Sequence, residues 1–77
     1  MTTVDDIIQL MKKARIARDK CDALVPDQPL ADQGLDSYDR MALLFEVSEM
    51  LDSDVPDDVV KKLKTLQDIV NFVNSQA

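Results

Sequence analysis

The chain has 77 residues, 45% of them hydrophobic and 31% charged, with 15 Asp+Glu against 9 Lys+Arg and a formal net charge of −6. Histidine is absent and Cys21 is the only cysteine, which removes the usual zinc ligands, the commonest general base and any intrachain disulfide. No stretch approaches the ~20 apolar residues of a membrane span, and so short a chain predicts a single domain, residues 1–77, without catalytic activity of its own.

The opening "MTTVDDIIQL" is acidic where a secretory signal would be basic, which predicts a cytoplasmic protein. Val4, Ile7, Ile8, Met11 and Ala14 fall at helical spacing and predict a first helix with one apolar stripe. Thr3 is its expected cap, with Asp6 at N3. Asp5 and Asp6 lie at the start of this helix and Lys12 and Lys13 in its later turns, each where the helix dipole favours it. The basic run Lys12, Lys13, Arg15, Arg18 and Lys20 reads as a solvated helix face. Cys21 is expected to be a partly buried, unreactive thiol.

From about Arg18 to Leu35 the helical pattern fails, and Pro26, Pro29 and the only glycine, Gly34, predict a long loop. A loop of this length is unusual in so small a domain and tends to carry function. Leu24, Val25 and Leu30 predict that it packs onto the helices.

The second helix is expected from Ser37 to Leu51, with Asp36 as N-cap and Asp39 at N3. In "VPDDVVKKL" Pro56 stands where a short helix starts, with acids early and lysines late. Thr65 caps the last helix, Asp68 follows at N3, and Leu66, Ile69, Val70 and Val73 form its stripe beside Phe72. No strand alternation occurs. The predicted fold is all-α: a small four-helix bundle of three longer helices and one short third helix, with a long loop between helices one and two. "DSDVPDDVVKKL" starts like a calcium loop at Asp52 and Asp54. It has Asp57 where glycine is needed and Leu63 where glutamate is needed, so no metal site is expected.

Charge is distributed unevenly. Met1 to Cys21 carries net +2, Asp22 to Asp58 net −10 with Arg40 as its one base, and Val59 to Ala77 net +2. The acidic centre repels nucleic-acid phosphate and steers basic proteins. Within it, "QGLDSYDRMALLFEV" puts Ser37 at the start of the second helix. Unpaired amides and the positive end of the dipole favour a phosphate there. No histidine is present to deprotonate Ser37, so a partner enzyme must supply any chemistry on it. The competing reading is an ordinary first-turn serine.

The helix from Val4, the long loop, "GLDSYD", the apolar helix after it, "DSDVPDD" and "TLQDIVNFV" together resemble the acyl carrier protein family over nearly the full chain. The resemblance implies that Ser37, flanked by Asp36 and Gly34, carries 4′-phosphopantetheine installed from coenzyme A by a phosphopantetheinyl transferase. It implies a monomeric shuttle bearing an acyl group as a thioester between acyl-transfer, condensing or reducing enzymes of fatty-acid, polyketide or related metabolism. Leu30, Met41, Leu44, Val47, Leu51, Val55, Val59, Leu63, Ile69 and Phe72 are candidate walls of a pocket for the acyl chain, and all ten equally suit an ordinary core.

The chain departs from the family pattern in three places. Gln33 and Tyr38 replace apolar residues usual before the glycine and after the serine. Carriers of fatty-acid synthesis show an acidic stripe along the second helix, whereas the stripe here reads Tyr38, Ala42, Phe45 and Glu49, with Asp39 beside it. Tyr38 and Phe45 either turn inward or form an exposed aromatic docking face for specialised partners. Asp36, where peptidyl carriers commonly have histidine, points to acyl carriers, and stand-alone D-alanine carriers share the aspartate. The remaining alternative is an unmodified helical interaction module.

Overall fold

Thr3 starts the first helix by reciprocal capping. Its Oγ1 accepts from the Asp6 N–H at 3.2 Å, and Asp6 Oδ2 accepts from the Thr3 N–H at 3.0 Å. The computed structural model describes residues 1–76, and among them the elements are all helical. They are α1 (Val4–Ala14), α2 (Ser37–Leu51), α3 (Asp57–Val60) and α4 (Leu66–Ser75), with 3₁₀ turns at Cys21–Ala23 and Leu30–Gln33. Thr65 and Asp68 repeat the reciprocal cap at α4.

α1 ends at Ala14, several residues before the expected loop start near Arg18. The stop comes from Arg15 in the left-handed conformation, φ 62. Its N–H donates to Lys12 O at 3.2 Å, and the Ile16 N–H donates to Met11 O at 2.9 Å. This paired closure satisfies the last carbonyls and drops Ile16 onto Met11, both buried. Asp52, φ 53, closes α2 in the same way, with the Ser53 N–H donating to Ser48 O at 3.1 Å.

An arginine in this conformation carries a backbone penalty of about 1–2 kcal/mol that glycine avoids, against about 0.5–1 kcal/mol of extra chain entropy lost by glycine. Arg15→Gly is therefore expected to stabilise the protein by about 0.7 kcal/mol and raise Tm by roughly 3–5 °C, measured by a circular-dichroism melt. A fall in Tm would show that the arginine side chain contributes more than its backbone costs.

α1 packs against α4, α2 and the first 3₁₀ turn. Ile7 and Met11 of α1, Leu43 and Val47 of α2, and Leu66 and Ile69 of α4 form the centre of the core. Burying each such side chain contributes about 1.5–3 kcal/mol. The connection between α1 and α2 adds Cys21, Leu24, Leu30 and Leu35 to this core. It is a packed strap, as the leucines predict. Val25, expected to pack with them, is instead exposed. Cys21 is fully rather than partly buried, and its thiol donates to Arg18 O.

Two backbone bonds tie the strap to the segments flanking Thr65. The Leu30 N–H donates to Lys64 O at 2.8 Å and the Gln67 N–H to Pro26 O at 3.0 Å. Lys12 on α1 pairs with Asp22 in the strap at 2.6 Å, and the hydrogen bond to this carboxylate raises the lysine pKa above its ordinary value. The ends of the chain meet through Asn74, whose side chain accepts from the Thr2 N–H at 2.9 Å and donates to Thr2 O at 3.0 Å.

Candidate functional site

The start of α2 is built by three local devices. Gly34 closes the second 3₁₀ turn at φ 91, where a side chain would be strained, and its carbonyl accepts from Lys20 Nζ at 2.9 Å. Asp36 follows as N-cap, its Oδ1 accepting from the Asp39 N–H at 2.9 Å. Arg40, one turn on, donates from Nε to Asp36 O at 3.3 Å. Ser37 is thereby held as the first residue of α2 and is exposed. Its Oγ and the amides of Ser37 and Tyr38 have no hydrogen-bond partner among the described residues. The positive end of a 15-residue helix thus presents a free hydroxyl beside free donors.

Gln33 gives the strap its shape. Its Oε1 accepts from the Val25 N–H at 2.6 Å, and its Nε2 donates to Val25 O and Gln28 O, each at 3.0 Å. One side chain replaces the backbone pairing that this irregular segment lacks. Net hydrogen bonds contribute about 0.5–1.5 kcal/mol each. Gln33→Ala is expected to speed amide exchange at Val25 by on the order of tenfold while amides of α1 and α4 keep their protection. Unchanged exchange at Val25 would show that the strap holds without the glutamine.

A cleft of about 450 Å³ opens next to Ser37, between α2, the strap and the α3 end of the bundle. Leu44, Val60 and Leu63 give it an apolar floor, and the exposed Met41 also lines it. Arg40, Lys61 and Lys64 surround that floor with positive charge. An apolar floor of this kind suits an apolar guest, and cations along it suit an anion.

Of the ten candidate pocket residues, Met41, Leu44 and Leu63 line this cleft. Leu30, Val47 and Ile69 are buried in the core. Val55 lies in a neighbouring depression that also touches Met41, and Leu51 lines a depression at the opposite end with Thr2. Val59 and Phe72 are half-buried away from these openings, and Val60 takes the cleft position instead of Val59. Arg40, Lys61 and Lys64 are absent from the sequence-derived set. Arg40 was within reach of sequence reasoning, because it stands one turn from Ser37 on the same helix. The two lysines required the packing of α3.

Tyr38 and Phe45 turn outward, 79% and 61% exposed, and Met41 lies between them at 69%. Their i, i+3, i+7 spacing makes one exposed apolar stripe along α2. Ala42 is half-buried at its edge, in a groove shared with Ile16 of the strap. Asp39 is half-buried and Glu49 exposed.

An exposed, unpartnered serine at a helix start, with cations beside it and a sheltered apolar floor adjacent, fits a phosphate-linked flexible arm. Residues 5–73 match the family model described as "Phosphopantetheine attachment site". The chain is 35% identical over 54 residues to an acyl carrier protein of Thermosynechococcus vestitus, covering 69% of this chain and 67% of that protein. It is 43% identical over 47 residues to an acyl carrier protein of Kocuria rhizophila, covering 60% of this chain and 58% of that one.

Proposed function

The chain belongs to the acyl carrier protein family, whose phosphopantetheine-attachment domain carries 4′-phosphopantetheine covalently, and on that premise we propose that Ser37 is the attachment point. The observation that carries this reading is the free hydroxyl of Ser37 at the exposed first turn of α2, opening on the cleft. When bound, the arm supplies a terminal thiol that holds an acyl group as a thioester. The chain's own residues do the rest. Asp36 caps the helix that presents the serine, Gly34 makes the turn into it, and Arg40 stands one turn along with its outer guanidinium N–H groups directed to no carboxylate among the described residues. The family match over residues 5–73 supports reading the chain as one carrier domain.

The function is that of a non-catalytic carrier delivering acyl groups to acyl-handling enzymes. We place its partners among specialised enzymes and not the general fatty-acid set, because the docking side of α2 is aromatic and aliphatic. Tyr38 and Phe45 supply the anchors, Ala42 the groove at their edge, and Asp39 and Glu49 a charged margin that steers basic partners. Aromatic anchors in a desolvated contact give most of the binding energy, while rim charges mainly set the encounter rate.

Intact mass after incubation with a phosphopantetheinyl transferase and coenzyme A tests the carrier reading. One phosphopantetheine increment per chain is expected. No increment with any transferase tried would favour an unmodified interaction module that uses the exposed stripe of α2.

A further inference from the structure

The lining of the cleft runs against the charge of the chain. Acids outnumber Lys+Arg 15 to 9 in the sequence, yet among the described residues Arg40, Lys61 and Lys64 line the cleft and no carboxylate does. Arg40 is the one base between Asp22 and Asp58. None of the three cations forms an ion pair among the described residues, where Lys12 pairs with Asp22. Lys64 is held in place through its backbone, its carbonyl accepting from the Leu30 N–H at 2.8 Å and its N–H donating to Asp68 Oδ2 at 3.2 Å. Three like charges line one apolar floor with no anion among them, and a purely hydrocarbon guest supplies none.

We propose that the cleft receives an acyl cargo that bears a carboxylate at its far end, with the chain on the floor of Leu44, Val60 and Leu63 and the carboxylate between Lys61 and Lys64. The inference rests on the carrier reading above. The phosphodiester of the arm is a single negative charge fixed at Ser37, and Arg40, on the same helix one turn away, is the cation suited to it. The two lysines reach the cleft from the α3 side and are left for a second anion. Charge-assisted hydrogen bonds from lysine are about twice as strong as neutral ones, so the carboxylate adds retention that a methyl end does not, weakened by salt because both lysines are exposed.

The test loads the apo protein with either a hexanoyl or an adipyl arm, using a phosphopantetheinyl transferase and the matching coenzyme A thioester. The two chains have equal length and differ in the terminal carboxylate. Mass confirms loading before any spectrum is recorded. Relative to the unacylated arm, the adipyl form is expected to shift the side-chain NMR signals of Lys61 and Lys64, with the shifts lost in 1 M NaCl. The hexanoyl form is expected to move Leu44 and Leu63 alone. In the Lys61→Gln/Lys64→Gln double variant, whose altered side chains are exposed, the adipyl-specific shifts disappear and the hexanoyl shifts persist. Equal lysine shifts with both chains overturn the proposal. So do full shifts with the unacylated arm, because the phosphodiester would then be the anion the lysines hold. A protein that gains no arm removes the carrier reading and this inference together, and it is distinguished from the other outcomes by its mass.

Discussion

Replacing Ser37 with alanine is expected to abolish arm attachment completely and to leave the fold unchanged. The other serines and the two capping threonines are engaged or badly placed. Ser48 and Ser75 each donate to the carbonyl three residues earlier, at 2.6 and 2.7 Å. Thr3 and Thr65 are N-caps whose oxygens accept from Asp6 and Asp68. Ser53 follows the C-terminal end of α2, where the negative end of the helix dipole and Asp52 and Asp54 on either side disfavour a phosphate. Ser37 makes no side-chain hydrogen bond among the described residues and does not cap α2, because Asp36 does. Its loss should therefore change stability by no more than about 0.5 kcal/mol. Intact mass and a thermal melt of the same sample read both halves of the prediction. An arm gained by Ser37→Ala would move the attachment point elsewhere and sink the proposed role of α2's first turn.

The two sides of α2 should respond oppositely to truncation. Leu43 is fully buried against the core, and Leu→Ala at such sites costs about 2–5 kcal/mol. A domain of this size has about 4–12 kcal/mol in all, so Leu43→Ala is expected to lower the urea midpoint by a third or more and to lose cooperativity when warmed. Phe45, two residues on, is 61% exposed. Phe45→Ala should cost less than about 1 kcal/mol of stability, as surface changes do. Its effect belongs to docking: an aromatic anchor contributes about 1–2 kcal/mol or more to a protein contact. We expect kcat/KM for arm transfer by the transferase to fall on the order of tenfold, carried by KM. Unfolding of Phe45→Ala would make Phe45 a core residue after all. An unchanged kcat/KM would remove the exposed stripe from transferase recognition.

The helix starts were legible because capping is local. Thr3 with Asp6, Asp36 with Asp39, and Thr65 with Asp68 each lie three residues apart, and the structure begins α1, α2 and α4 directly after those caps. The end of α1 was not legible, since the stop falls on Arg15, and arginine carries no signal for a left-handed residue. The paired hydrogen bonds of the closure and the burial of Ile16 together offset the strain of that conformation. Val25 reads like Leu24 in the sequence, yet its backbone is held by Gln33 and its side chain is left in water.

The sequence by itself therefore determined an all-helical chain, the first residue of each longer helix, an acidic centre and a serine at the positive end of the second helix. Those properties depend on neighbours within about one helical turn. Tertiary structure alone decided which apolar residues became core and which became cleft or surface. "MALLF" is apolar almost all round α2, so its own periodicity cannot say that Leu43 points inward while Met41 and Phe45 point out. It also decided that Lys61 and Lys64 meet Arg40 around one floor, because that juxtaposition forms only when α3 packs beside α2. Residues distant in sequence acquire a shared environment through packing, and packing is a property of the whole bundle.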